Sequence, residues 1–206
     1  MGSSSSGQVR ARFTKGRLEA FSDGVFAIII TIMVLELKVP HGADWPTLVK
    51  LGPVFLGYVL SFLYVGIYWN NHHHLMHAAK HVDGRVMWAN LHLLFWLSLL
   101  PFVTGFATEN HYAPLTAALY GVVLFMAAIA YTIVVLTLRA GHPPEAAVHH
   151  ASGGDLKGKL SMLLYATGIV LSMWLPFGAI ALYAATALMW LVPDKRVERA
   201  LHHEAG

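Results

Sequence analysis

The chain has 206 residues, 56% of them hydrophobic and only 12% charged, against about 25% charged in soluble domains. That excludes an ordinary soluble domain and points to an all-α integral membrane protein, since several stretches approach the ~20 apolar residues that cross a bilayer core. Its 14 basic and 11 acidic residues leave a net charge of +3. The basic residues lie between apolar runs rather than in one patch, so they speak for membrane orientation and against nucleic acid as a partner. No cysteine is present, which removes disulfides and thiolate chemistry.

Residues 1–16 open with the Ser/Gly-rich MGSSSSGQ and are expected to be a disordered tail or a leader left by expression. Residues 17–193 are read as one six-helix domain, and 194–206 as a cytoplasmic tail. The expected spans cover about 18–39, 48–72, 86–107, 113–138, 158–174 and 176–192.

The first span, RLEAFSDGVFAIIITIMVLEL, carries Arg17, Glu19, Asp23 and Glu36 close to hydrocarbon. Charges there are costly and mark a pathway, a helix contact or a packing lock. Steps of four and three from Arg17 reach Phe21, Gly24, Ile28, Thr31 and Leu35, with Ile32 adjacent, which is a seam along one helix face. Two readings fit that seam: a packing stripe against neighbouring helices, or a pore wall narrowed by branched side chains beyond Gly24. Glu19 and Asp23 fall on the opposite side at about 100° per residue and are expected to face the helix bundle. Glu36 suits a membrane-interface residue, with a ring of outer carboxylates as the alternative.

The second span ends in Tyr-Trp-Asn-Asn-His-His-His, residues 68–74. His73, His77 and His81 have the i, i+4, i+8 spacing seen in metal-binding helices, but no further histidine or carboxylate box accompanies them, so neither a metal site nor an enzyme is expected. In the third span Pro101 interrupts an apolar run. Near the end, Pro176 splits about 33 apolar residues, read as two short helices with a turn at residues 175–178, with a single broken helix as the alternative. If both termini are cytoplasmic, 12 of the 14 basic residues fall inside and only Lys38 and Lys50 outside, the bias expected of a multi-pass protein.

Three blocks carry a family resemblance: Arg17-x-x-x-Phe21-Ser22-Asp23-Gly24 with the run through Thr31 to Leu37, Tyr68–His73, and Asn90–Phe102. In this order they resemble the transmembrane protein 175 family of potassium channels, over the first three spans. The resemblance implies one six-helix repeat per subunit, a homotetramer, and a central pore at its axis lined by the first helix. It implies Ile28 as the hydrophobic constriction and gate, with Ile32 and Leu35 as further apolar lining and Thr31 joining Ile28 in selectivity. It implies also that Arg17, Ser22, Asp23, Trp69, His72 and His73 form a hydrogen-bond network fixing the pore helix. The function expected is passive, modestly potassium-selective conduction in the plasma membrane. The partners are the lipid bilayer and further copies of the chain; potassium is the permeant ion, and no cofactor is needed. A proton-conducting channel of the same family and a secondary cation transporter are the alternatives.

Overall fold

The computed structural model describes residues 5–151 and 155–191. The tail expected over 194–206 lies outside the described residues. Helix α1 (Ser5–Leu35) starts well before the apolar run, whose membrane-competent part is Lys15–Leu35. A short α2 (Trp45–Val49) follows, its first turn capped by the Asp44 carboxylate accepting the Thr47 N–H at 2.9 Å. Helix α3 (Gly52–Ala78) has Pro53 at its start, where a missing N–H does no harm. Its far end is tied to α1 by Lys15, whose ammonium donates to the Ala79 carbonyl at 2.7 Å.

Helices α4 (Gly84–Ser98) and α5 (Leu100–Glu109) together make the third span. Pro101 withholds the N–H that would bond the Leu97 carbonyl, and its ring crowds that carbonyl. The helix therefore kinks at Leu99, which keeps right-handed helical angles (φ −83, ψ −11). After α5 the chain reverses through His111 and Tyr112, at φ 51 and 56, a left-handed conformation uncommon for non-glycine residues. Tyr112 bonds help hold that turn: its N–H donates to the Ala107 carbonyl at 2.7 Å and its hydroxyl to the Pro53 carbonyl at 2.9 Å.

Helix α6 (Pro114–Ala140) is the central element, packed on α4, α5, α8 and α9. The short α7 (Ala147–Ala151) precedes α8 (Asp155–Leu171) and α9 (Pro176–Leu191). The last two form an antiparallel hairpin, since Trp190 near the end of α9 donates from its indole to Ser161 near the start of α8 at 2.8 Å. The turn at Pro176 is thus a reversal rather than a bend in one helix. Among the described residues, four segments are long and apolar enough to cross a membrane: Lys15–Leu35, Gly52–Ala78, Gly84–Glu109 and Pro114–Ala140. Helix α9 is apolar but shorter.

In lipid the burial of apolar side chains gains little over contact with acyl tails, so close packing and hydrogen bonds hold such helices together. The core follows that rule. Small residues of α6, namely Ala117, Gly121, Ala127 and Ala130, are buried and bring backbones close. The Tyr183 ring of α9 lies against Gly121 and Gly168 so tightly that a Cβ at either would overlap it. A buried chain of hydroxyls, Thr104 to Ser61 at 2.6 Å and Ser61 to Tyr120 at 2.8 Å, joins α5, α3 and α6.

Candidate functional site

Two faces of α1 differ sharply. Leu18, Ser22, Phe26, Ile29 and Met33 are buried, with Met33 1% exposed. They follow the three-and-four spacing of one helix side. The seam Phe21, Gly24, Ile28, Thr31, Ile32 and Leu35 is exposed in the single chain, Ile28 at 57% and Leu35 at 78%. Among the described residues, no other helix of the subunit covers it. Along this stripe from Phe21 to Leu35 no side chain is titratable.

Thr31 is the polar exception. Its hydroxyl lies 3.1 Å from the Ala27 carbonyl and 2.9 Å from that of Ile28, to which it donates. With the proton turned back into the helix, the oxygen lone pairs remain to accept from, or coordinate, whatever lies on the exposed side. Gly24 leaves open space a turn below Ile28: a Cβ there would meet nothing within 4 Å.

The network expected around the Phe-Ser-Asp segment separates into two sets. The buried set joins α1, α3 and α4. Ser22 is wholly buried and donates to the Leu18 carbonyl at 2.8 Å. It then has only lone pairs to offer, so the Asn90 amide presents its NH2 to Ser22 Oγ at 2.9 Å. That turns the Asn90 carbonyl oxygen toward His72 Nε2 at 2.8 Å, which fixes the imidazole as the donor there. The His72 ring also packs on Phe26, with centroids 5.7 Å apart.

The second set lies on the outside. Asp23 accepts from the Trp69 indole N–H at 2.9 Å. The expectation that Asp23 faces the bundle is corrected here: it is exposed beside α3, because Ser22, one residue and about 100° away, takes the buried position. Glu19 is half-buried and pairs with Lys15 at 3.9 Å. Trp69 stacks on His73 at 5.8 Å, and His73 on His77 at 6.3 Å, as an exposed aromatic column down α3. His81 leaves that column, since α3 ends at Ala78, and stacks instead on His142 at 4.3 Å. Among the described residues no three His, Asp or Glu side chains converge as a metal site. Arg17 is exposed one turn before Phe21.

Asn90 is the residue that site reasoning from sequence passed over. Its signal was an amide amid the apolar run Trp88–Leu94, where a polar group must find a partner. At the opposite end of α1, the Glu36 carboxylate lies against Gly105 of α5, and Lys38 pairs with Glu109. That pairing raises the Lys38 ammonium above its ordinary value.

A bundle of membrane-competent helices that leaves one apolar stripe of its first helix uncovered, and braces the other face with buried hydrogen bonds, defines the class: a helical integral membrane protein. The family model described as the endosomal/lysosomal potassium channel TMEM175 matches residues 17–101. A potassium channel of Chryseobacterium sp. (strain P1-3) is 52% identical over 188 residues, covering 91% of this chain and 98% of the relative. The chain belongs to the TMEM175 family of ion channels. Among solved structures, a lysosomal potassium-selective channel TMEM175 homolog from Chamaesiphon minutus superposes with a TM-score of 0.76 at 26% identity, covering 87% of this chain and 97% of that one. The chicken endosomal/lysosomal proton channel TMEM175 is 32% identical over 114 residues, but those span 48% of this chain and only 23% of the relative.

Proposed function

We propose that the chain is a passive, modestly potassium-selective cation channel whose pore lies on the axis of a homotetramer lined by α1. One observation carries the reading. The exposed stripe of α1 matches the seam of Phe21, Gly24, Ile28, Thr31, Ile32 and Leu35, in a family whose bacterial relatives are named potassium channels. Four copies of that stripe around an axis enclose a lumen with no titratable wall from Phe21 to Leu35. Rings of Ile28, Ile32 and Leu35 have no polar atom to coordinate an ion, so they gate by expelling water and exclude by size. A ring of Thr31 oxygens, their protons donated back into each helix, coordinates a partly hydrated cation. Potassium is the permeant, and no cofactor takes part.

In this assembly α8 and α9 serve as the fifth and sixth spans, both termini are cytoplasmic and the protein sits in the plasma membrane. The loop basic residues support that topology, because Lys38 and Lys50 alone fall on the outer side. The Ser22–Asn90–His72 chain holds the back of the pore helix, with Asp23–Trp69 and the His73 column along its flank.

Replacing Ile28 by Asn tests the pore assignment in reconstituted bilayers. The polar side chain wets the constriction, so conductance rises and the reversal potential under opposed potassium and sodium gradients moves toward no preference. Unchanged selectivity and conductance in the Ile28→Asn variant would refute a role for Ile28 in the pathway. A second reading, proton conduction, follows from the name of the vertebrate relatives. Reversal potentials under crossed potassium and proton gradients separate the two, and exchange with fixed stoichiometry would point to a secondary transporter instead.

A further inference from the structure

Away from α1, a cavity of about 90 Å³ opens between α3, α6, α8 and α9. A water needs about 10–15 Å³ of such space, so the cavity has room for several waters or for the head of a small amphiphile. Aromatic rings from all four helices contribute to its wall, with Tyr131, Tyr165 and Trp190 among them. Two polar side chains one turn apart on α3, Tyr68 and Asn71, also line it. Tyr68 is only 8% exposed, and no described residue hydrogen-bonds its hydroxyl or the Asn71 amide; the Asn71 carbonyl alone is engaged, by Tyr131 at 3.3 Å. Among the described residues no side-chain nitrogen or oxygen is both fully enclosed and without a hydrogen bond. The Tyr68 hydroxyl therefore opens onto the cavity.

A buried polar group in an apolar setting costs free energy unless something bonds it. Here both groups can donate. The lip carries positive charge: Arg139 in the last turn of α6 lines it, and the Lys157 ammonium lies 5.9 Å over the Trp190 ring. The rim also includes Leu136, which is 56% exposed, so the opening faces outward beside an apolar, lipid-facing position. Donors inside, cations at the lip and an apolar exit describe a receptor for an acceptor-rich head on an acyl chain.

We propose that this cavity binds the head of an anionic single-chain lipid, a carboxylate or a phosphate monoester, with Tyr68 and Asn71 donating to it and its chain leaving over Leu136. The site is separate from the α1 stripe and does not depend on the conduction reading.

The test uses the full chain in neutral phosphatidylcholine vesicles with a trace of a fatty acid bearing a photoreactive diazirine near its carboxylate. After illumination, mass spectrometry maps the labelled residues. The expected result is labelling concentrated on the cavity walls of α6, α8 and α9, displaced by excess oleate but not by acetate. The double variant Tyr68→Phe, Asn71→Leu lowers it at least fivefold, while labelling of lipid-facing Phe55 and Leu188 is unchanged. The variant Gly158→Leu fills the cavity without touching Tyr68 and should lower it equally, which covers the case in which the double variant does not fold. Lysophosphatidic acid displacing the probe better than oleate identifies a phosphate head, and the reverse identifies a carboxylate; either supports the site. Labelling that simply follows exposed apolar surface, persists in both variants, or is matched by a neutral fatty-alcohol probe would overturn it.

Discussion

Replacing Asn90 by Leu removes the middle of the Ser22–Asn90–His72 chain without a large change of volume. The two neighbours lose unequally. His72 Nε2 is buried and has Asn90 as its partner, so it is left with an unmet donor at about 1–3 kcal/mol. Ser22 keeps its bond to the Leu18 carbonyl and forfeits only an accepted one, about 0.5–1.5 kcal/mol. Interhelical hydrogen bonds in membranes often couple by less than about 1 kcal/mol, so the orphaned imidazole supplies most of a total near 2–4 kcal/mol. For a chain of this size that is a fall in Tm of roughly 4–16 °C, read by a thermal scan in one fixed detergent. Ser22→Ala leaves the Asn90 NH2 unpaired and should cost about 1–2 kcal/mol by itself. Because both variants break the same chain, the double variant should melt close to Asn90→Leu alone. An Asn90→Leu protein melting within about 1 °C of the parent, or losses that simply add, would refute the chain as the brace of α1.

Three further outcomes follow from the packing and caps. Gly121→Ala and Gly168→Ala each drive a Cβ into the Tyr183 ring and should cost about 1–3 kcal/mol in a thermal scan. Tyr183→Phe removes only the hydroxyl, the nearest contact of the first, and leaves the ring carbon Cζ at 2.6 Å and Ile169 Cγ1 at 2.9 Å, so it rescues the first in part and the second, which meets a ring carbon, not at all; equal rescue of both would contradict this packing. At the start of α4, Asp83 accepts the Val86 N–H at 2.9 Å, and that bond holds its carboxyl below the ordinary value of 3.8. The cap's pH-dependent contribution is therefore complete above pH 3.8 and is lost as pH falls through the lower folded value; Asp83→Ala should cost about 1 kcal/mol at neutral pH, and Asp83→Asn should flatten acid sensitivity in the same range. Trp69→Phe breaks the exposed bond to Asp23 and should cost under about 1 kcal/mol of stability. If Asp23–Trp69 orients α1 at a subunit contact, the same variant alters conduction in planar bilayers far more than it alters Tm.

The parts of the fold that were legible in sequence are those set by local chemistry. The apolar runs marked the helices, Pro101 stood out as a proline inside one of them, and Pro176 marked the break between two short helices. The exposed seam of α1 was legible because a helix's period alone decides which residues share a face. What could not be read was which neighbour each face meets. Helical period places Asp23 away from the seam but not at the centre of the buried face, where Ser22, smaller and able to bond its own helix, sits instead. The regular spacing of His73, His77 and His81 suggested one column, and the end of α3 at Ala78 sends His81 to His142. Asn90 was invisible as a site residue because its partners come from two other helices 18 and 68 residues away.

That division bears on how the first helix works. Its exposed stripe is left uncovered within the described subunit, so its buried face holds it in place. Its buried stripe is apolar except at Ser22, and apolar contact, being non-directional, leaves registers one turn apart open. A hydrogen-bond chain does not, because a shift of one turn separates Ser22 from Asn90 and leaves the His72 donor unmet. The lone buried serine thus fixes the register of α1, and register decides which side chains stand at each level of the uncovered face. Ile28 and Thr31 lie six and nine residues beyond Ser22, so the brace sets the level at which they stand while leaving their own side free. A conduction mechanism that moved α1 along its axis would have to break this chain first, whereas rotation of Ile28 about its side-chain bonds would not. Under the proposed pore reading, the brace therefore favours gating by side-chain rearrangement at Ile28 over sliding of the helix.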